Sequence, residues 1–382
     1  MISEISGGNQ IGLALSGGGI RAMAFHSGVL HWLAEAGQLN KVAHISSVSG
    51  GSLLIGLILR LSNWRWPFSE EYKTLVLPQL REFLTTKDLA FQAMLRLLRP
   101  TSWNYLLSRA NILARAIETT WGIDAHLADL PEVPIWSING TTAETGRRFR
   151  FKRTAFGDYE IGYANAANFK IADTMAISAA FPGLIGPFAI RTGDYEWYKR
   201  ETWNSGIESA EKKFPPFKNL HLYDGGVYDN LGIEPLFDSG KQIPKNGVNF
   251  ILVSDAGLPL SRTTLNYSLN PFRLKRISDI MSDQGRALRV RSFINFLQSN
   301  PDKGSYFQIG ADARKKIETY QHHNQSGASA LLNETWLSAQ DAERAANYIT
   351  TLRKMSAYDF ELIHRHGYEM AKWNLRLFVN LY

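Results

Sequence analysis

The 382-residue chain contains no cysteine. Disulfide bonds, thiolate catalysis and zinc sites with cysteine ligands are therefore excluded. Its most apolar run, SLLIGLILRL from Ser52, is about half a membrane span long and is interrupted by Arg60. The N-terminal MISEISGGNQ shows no basic segment followed by an apolar one, so we expect no signal peptide. These absences predict a cytoplasmic protein.

The sequence also lacks the known nucleotide-binding loop patterns. Residues 14–28, ALSGGGIRAMAFHSG, place three glycines between an apolar run and an amphipathic stretch. A P-loop requires a lysine after its glycines, and none follows here. The dinucleotide pattern G-x-G-x-x-G is one position short, and no acidic residue ends a second strand about twenty residues later. We therefore expect no nucleotide cradle at residues 17–19.

The composition is that of a globular protein, with 45% apolar and 20% charged residues. The net charge of +7 favours an anionic partner, either nucleic acid or a membrane surface. No nucleic-acid reader motif accompanies that charge, so no specific nucleic-acid binding is expected. Several of the ten tryptophans lie beside arginine, as in NWRWPF at 63–68, which favours a lipid–water interface. Most of the tryptophans are expected in the core.

Apolar runs and helical periodicity alternate along the chain, which predicts an α/β protein with a mostly parallel sheet between two helical layers. The last third of the chain reads mainly as helices. We expect a catalytic domain over residues 10–260 and a helical extension over 261–382, packed on the same domain. The predicted strands are 11–16, 42–49, two within 133–153, 220–224 and 249–255; the helices are 20–36, one from Ser52, 70–122, 170–181, 272–297, 338–352 and 356–378; residues 191–217 are expected to form a loop.

A serine stands between the second strand and the next helix, in the sequence SSVSGGS. A nucleophile elbow is a strained strand–turn–helix connection, so the residues beside the nucleophile must be small. Around Ser49 they are Ser47, Gly50 and Gly51. The start of the helix adds partial positive charge, which stabilises an oxyanion. The pattern makes Ser49 a candidate nucleophile, although a plain turn is the alternative.

Two further segments could complete a site. Gly17, Gly18 and Gly19 expose backbone N–H groups at the end of the first strand, and Arg21 would brace this loop or contact a phosphate. In YDGGVYDNLGIEPL, Asp224 closes a strand and precedes Gly225-Gly226. A carboxylate in that position is a candidate base, with a simple Asp-Gly turn as the alternative.

Together these segments resemble the patatin-like phospholipase family. Its glycine loop stands here as Gly17-Gly18-Gly19-Ile20-Arg21, its elbow as Ser47-Val48-Ser49-Gly50-Gly51, and its D-G-[GA] element as Asp224-Gly225-Gly226. AISAAFPGLIGPF at 176–188 is similar to the family's small-residue helix. Ser47 replaces a glycine of the elbow, and Ala22 replaces the last glycine of the loop.

The resemblance implies a three-layer fold and a serine–aspartate dyad without metal or cofactor. Ser49 would attack an ester carbonyl, Asp224 would accept its proton, and residues 17–19 would form the oxyanion hole. Membrane phospholipids would be the substrates, and the enzyme would associate peripherally with the inner face of the membrane. Two alternatives remain: an immune effector or toxin phospholipase activated by a cyclic nucleotide, and a regulatory binding protein on this fold.

Other catalytic and binding residues also remain open. A Ser–Asp–His triad would draw its histidine from His322, His323, His364 or His366, whereas His26 and His31 are expected to be structural. Asp255, before Ala-Gly, is a weaker alternative base. The arginine-rich region 87–119 and the loop 191–217 are candidates for a lid or for membrane contact, and the basic stretch 273–293 for a nucleotide or partner surface.

Overall fold

A computed structural model describes residues 10–97, 109–182, 185–199, 209–260 and 272–378. Within these ranges the chain forms one large mixed sheet and a separate two-stranded ribbon. The strands are β1 Ile11–Leu15, β2 Val42–Ser47, β3 Ile135–Thr142, β4 Arg148–Phe151, β5 Ala155–Asp158, β6 Gly162–Asn165, β7 Phe188–Arg191, β8 Trp197–Lys199, β9 Glu211–Lys213, β10 Asn219–Asp224, β11 Phe237–Asp238, β12 Ile243–Pro244, β13 Phe250–Asp255 and β14 Gly304–Gln308.

Helices connect and cover these strands. They are α1 Gly19–Glu35, α2 Gly50–Leu61, α3 Ser69–Glu71, α4 Leu77–Thr86, α5 Leu89–Leu97, α6 Arg109–Trp121, α7 Ile171–Ser178, α8 Gly226–Asp229, α9 Phe272–Ser299, α10 Ala313–Tyr320, α11 Gln325–Leu332, α12 Ala339–Ala346 and α13 Ala357–Phe378. No helix within the described ranges is both long and apolar enough to cross a bilayer.

The centre of the sheet is parallel, in the order β14-β13-β1-β2-β3. The main core lies on one face of these strands, where β1, α1, α2, α7 and α13 bury their apolar residues. A smaller core on the other face joins Ala14, Ile251 and Val253 of the sheet to Phe293 and Phe296 of α9. The predicted α/β fold, with helices on both sides of parallel strands, is thus confirmed.

Beyond β3 the sheet continues through antiparallel strands to β9. The prediction of a structureless loop over 191–217 was wrong in part, because β8 and β9 pair there. Trp197 is buried and its Nε1 donates to the Thr192 carbonyl at 2.9 Å, so aromatic packing compensates for the missing periodicity. Residues 200–208 of this segment and 98–108 of the arginine-rich region lie outside the described residues.

The C-terminal residues pack against the same sheet. β14 pairs with β13, and α13 lies along α1 so closely that Gly28 and Gly367 face the backbone of the opposite helix. A Cβ at Gly28 would lie 1.9 Å from the His364 carbonyl oxygen. The boundary at residue 260 remains a prediction.

Candidate active site

Ser49 lies in a strained turn between β2 and α2. Its backbone has φ 49° and ψ −118°, a region that L-residues seldom occupy. The turn has room only for glycine after the serine: a Cβ on Gly50 would lie 2.3 Å from the Gly19 carbonyl oxygen, and one on Gly51 would lie 2.6 Å from that of Leu15. The small residues noted in the sequence therefore allow the elbow to pack against β1 and the glycine loop.

Sheet register brings Asp224 to the elbow. β2 pairs with the first half of β3 and stops at Ser47, opposite Ile138. β10 runs the other way, pairs with the second half of β3 and stops at Asp224, opposite Gly140. Two strands thus share one position in the sheet and point at each other, and the site lies where they meet.

The Asp224 carboxylate is 4% exposed, and the Ser49 hydroxyl lies near enough to act on its pKa as a hydrogen-bond donor. Its Oδ1 also accepts from the Gly226 N–H at 2.7 Å. Burial raises the pKa of Asp224 to about 7, and these two hydrogen bonds oppose the rise. A carboxylate with that pKa is a far better proton acceptor near neutral pH than a solvated aspartate. Gly225 keeps the turn close to β3, since a Cβ there would lie 2.4 Å from the Asn139 carbonyl oxygen.

The glycine loop contacts the elbow directly. A Cβ on Gly17 would lie 3.1 Å from the Ser49 Cβ, so the loop borders Ser49. The Gly17 N–H donates to the Asn230 carbonyl at 3.1 Å and is already satisfied. Gly18 and Gly19 have φ of 144° and 59°, and their N–H groups have no hydrogen-bond acceptor within the described ranges. Two backbone donors beside Ser49 are thus available to a ligand.

Comparison with known proteins agrees with this geometry. A family model described as "Patatin-like phospholipase" matches residues 13–237. The chain belongs to the patatin-like phospholipase family. The matched family is one of lipid acyl hydrolases.

A solved human structure has the same fold at low sequence identity. Human GIVD cytosolic phospholipase A2 is 14% identical, with a TM-score of 0.52; the match covers 96% of this chain and 59% of that one. VipD from Legionella pneumophila is also 14% identical, with a TM-score of 0.38; that match covers 96% of this chain and 67% of the VipD chain. This patatin-like chain spans less than two thirds of the length of the human enzyme. None of the curated proteins matches it.

Arg21 braces the patatin-like glycine loop from beneath. Its side chain is fully buried, with Nε and Nη2 donating to the Ala256 carbonyl at 3.1 and 3.0 Å, and Nη1 to the carbonyl of Tyr348. The Ile20 N–H donates to the Thr351 carbonyl at 2.9 Å. All of these acceptors lie outside residues 13–237, so residues beyond the family match hold the loop in place.

A chain of buried hydroxyls beneath Ser49 was missed by sequence reasoning. Trp136 Nε1 donates to Ser47 Oγ at 2.8 Å. The Ser52 hydroxyl is hydrogen-bonded to Ser47 Oγ at 2.9 Å and to Ser178 Oγ at 2.8 Å. The Ser178 hydroxyl ends the chain on the Asn139 carbonyl at 2.7 Å and accepts the Ser49 N–H at 3.0 Å. Ser47, which departs from the family's glycine, is thus a link in this support. The small-residue run 176–188 was the only signal for Ser178.

The structure gives the alternative bases other partners. Asp255 binds Arg286 Nη1 at 2.9 Å and accepts from the Tyr306 hydroxyl at 2.7 Å. His364 bonds to Ser27 at 2.8 Å, and His366 accepts from the Gly310 N–H at 2.8 Å. The side chain of His323 is outside the described residues.

The histidines expected to be structural are buried or tied between helices. His26 bonds to Ser254 Oγ at 2.7 Å, and burial lowers its pKa to about 4. His31 bonds to His364 at 3.1 Å. Within the described ranges, no group of three or more histidine and acidic side chains could hold a metal ion.

Proposed function

We propose that this protein hydrolyses fatty-acyl esters of membrane phospholipids with Ser49 as nucleophile and Asp224 as base. The observation that carries the proposal is that β2 and β10 end against each other, which brings the buried Asp224 carboxylate, with its raised pKa, to the turn that holds Ser49. A hydroxyl beside a base that can accept its proton is the arrangement that activates a serine. No third residue is required to relay the proton.

In the acylation step, Ser49 Oγ bonds to the ester carbonyl carbon while its proton passes to Asp224. The tetrahedral oxyanion is stabilised by backbone N–H groups, which we assign to Gly18 and Gly19 because Gly17 and Arg21 have other partners. Each such donor is worth roughly 100- to 1000-fold in rate. The lysolipid alkoxide leaves with the proton from Asp224, and an acyl-Ser49 ester remains.

In the deacylation step, water attacks the acyl-Ser49 carbonyl and gives its proton to Asp224. The fatty acid is released as the proton returns to Ser49 Oγ. Exposed apolar side chains next to the site favour a lipid as the source of the acyl chain: Phe181 is 43% exposed and Val227 is 53% exposed. Phe181 follows Ala180, whose carbonyl accepts from the Asp224 N–H at 3.0 Å.

The test is fatty-acid release from phospholipid vesicles, measured by mass spectrometry. Ser49→Ala and Asp224→Asn are each expected to lower kcat roughly a thousandfold or more. A matched control is Ser62→Ala, which removes another buried hydroxyl, on the Ile58 carbonyl at 2.8 Å, at the far end of α2. A long-chain fluorophosphonate should add one phosphonyl group at Ser49 with loss of fluoride. Full activity of Ser49→Ala, with circular dichroism unchanged, would refute the assignment.

A further inference from the structure

A row of cations lies on the sheet face opposite the main core. Alternate residues of a strand point the same way, so Arg148, Arg150 and the following Lys152 share one face of β4. Phe149 and Phe151 point to the other face and are fully buried in the main core. The cationic face is the side covered by α9 and by the chain after Asp224.

Arg148 is buried without an adequate partner. Its side chain is only 9% exposed, yet its Nε and Nη1 have no hydrogen-bond acceptor among the described residues. Leaving a buried charged donor unsatisfied is costly, so each such case in a folded protein calls for an explanation. On the neighbouring strands of the same face, His44 Nδ1 and Asn139 Oδ1 are also buried without a partner in the described ranges.

Arg150 donates to the Tyr163 hydroxyl at 2.6 Å. The acids near this face in the described part of the chain also have partners of their own. Asp158 accepts from the Thr142 and Thr145 hydroxyls at 2.7 and 2.9 Å. Asp229 accepts from the Leu231 and Glu234 amides and pairs with Arg289 at 3.4 Å. Glu234 places one negative charge near the cluster, and its carboxylate also interacts with the Tyr228 hydroxyl.

The positive charges of the cluster repel one another. Burial and then the charge of Arg148 lower the pKa of Arg150 to about 10. Burial also lowers the pKa of Lys245, with Glu234 opposing that shift and Arg148 adding to it. A bound anion would relieve this repulsion and supply the missing acceptors at the same time.

The cluster lies on strands next to the candidate active site, but the Arg148 side chain shares its face with Tyr223, whereas the Asp224 side chain shares the opposite face with Phe149. Arg148 pairs with Thr141 of β3, and Thr141 pairs on its other side with Tyr223. The Thr141 hydroxyl donates to the Asp224 carbonyl at 2.9 Å. Two interstrand spacings, roughly 10 Å, therefore separate the Arg148 backbone from the chain beside Asp224.

We propose that Arg148, with Arg150 and Lys245, binds a phosphate group. Guanidinium groups present paired donors that match phosphate oxygens, and phosphate is the common anion of both phospholipids and nucleotides. The group is either the headgroup phosphate of a lipid substrate or that of a free phosphate compound. The first source rests on the proposed function; the second does not.

Binding is tested first without turnover, on the Ser49→Ala protein. Titration calorimetry with inorganic phosphate, and separately with cyclic di-AMP, is compared between that protein and its Arg148→Gln derivative. The control is Arg147→Gln, which removes the neighbouring exposed arginine that pairs with Glu160 at 3.3 Å. Arg148→Gln is expected to weaken affinity at least tenfold, and Arg147→Gln by less than twofold. If Arg148→Gln fails to fold, Arg148→Lys is the alternative. It keeps the positive charge, lacks the paired guanidinium donors and should still weaken binding severalfold.

Turnover then separates the two sources. With Ser49 intact, the ratio of kcat/KM for phosphatidylglycerol to that for diacylglycerol of the same acyl chains is compared across the variants. A tenfold or larger fall in this ratio in the Arg148 variant, whatever the calorimetry, assigns the site to a lipid headgroup. An unchanged ratio with weakened phosphate or cyclic di-AMP binding assigns it to a free phosphate compound. If neither quantity changes, the proposal is overturned, and this result leaves the Ser49 test untouched.

Discussion

The backbone at Ser49 stores strain on the order of 1–3 kcal/mol. Its N–H is held by two acceptors on one residue, the carbonyl and hydroxyl of Ser178, at 3.1 and 3.0 Å. These contacts hold the strained Ser49 backbone in place before substrate arrives. The sequence could single out Ser49 and Asp224 as candidates, because small residues and strand ends are visible in a pattern. It could not show that the Asn230 carbonyl accepts a hydrogen bond from the Gly17 N–H, since that contact depends on the path of a distant loop.

The raised pKa of Asp224 predicts the pH dependence of the reaction. The carboxylate must be ionised to accept the serine proton, so kcat/KM should rise with pH and level off above about 7. The measurement is initial rates on a soluble p-nitrophenyl ester between pH 5 and 9. A profile that is already flat at pH 5 would contradict the assignment of Asp224 as base.

The raised pKa of Asp224 also affects the stability of the fold. A higher pH is expected to increase activity but to lower this contribution to stability. The unfolded carboxyl ionises near pH 4 and the folded one near 7, so ionisation favours the unfolded state increasingly between these values. Above pH 7 the penalty reaches about 4 kcal/mol at most, and below pH 4 it vanishes. Thermal unfolding should show Asp224→Asn more stable than the parent at pH 8 and no different at pH 4.

At the scale of elements, α9 differs most from its sequence-based interpretation. Its basic residues suggested a nucleotide or partner surface, but Arg286 and Arg289 point inward to Asp255 and Asp229. Among its exposed residues, α9 also presents large apolar side chains: Met281 is 70% exposed and Leu288 is 61% exposed. The spacing of seven residues places them on one face of the helix. A pattern of charges along a sequence does not tell which charges are paired across the fold.

We predict that this face of α9 contacts anionic membranes, in keeping with the net charge of +7 and with its attachment beside α8 of the site. Met281→Glu with Leu288→Glu should lower hydrolysis of phosphatidylglycerol vesicles roughly tenfold or more, through lost burial and added repulsion. Hydrolysis of a soluble ester should be unchanged. Phe68→Glu is the control, since Phe68 is 64% exposed and precedes Ser69, which binds Asn40 near the opposite end of β2. Equal effects of the two changes would contradict the prediction.

At the scale of the whole molecule, the N-terminal glycine loop depends on the last third of the chain. Ala256, Tyr348 and Thr351 supply the carbonyls that hold Ile20 and Arg21. Periodicity predicted the helices on either side of this contact, and the motifs predicted the loop. Neither predicted that the two meet, because non-local backbone contacts leave no periodic signal.

Gly19→Ala tests this dependence. A Cβ there would lie 2.5 Å from the Thr351 carbonyl oxygen and would push the loop away from it. Activity should fall roughly 100-fold or more as oxyanion donors are displaced. Gly37→Ala is a matched control, because Gly37 has a similar φ of 65° with nothing within 4 Å of the added Cβ. Both variants should lose about 1 kcal/mol of stability from backbone strain, measured by urea unfolding. Similar activity of the two would argue against the contact.

The meeting of β2 and β10 has a consequence for which insertions and deletions the chain can accept. The register of β10 against β3 does not depend on the lengths of the connections between the peripheral strands β5 to β9. Loss or gain of one residue inside β10 itself would shift Asp224 by about 3.4 Å and turn its carboxylate to the other face of the sheet. Length variation is therefore expected in the peripheral strands and not in the six residues that end at Asp224.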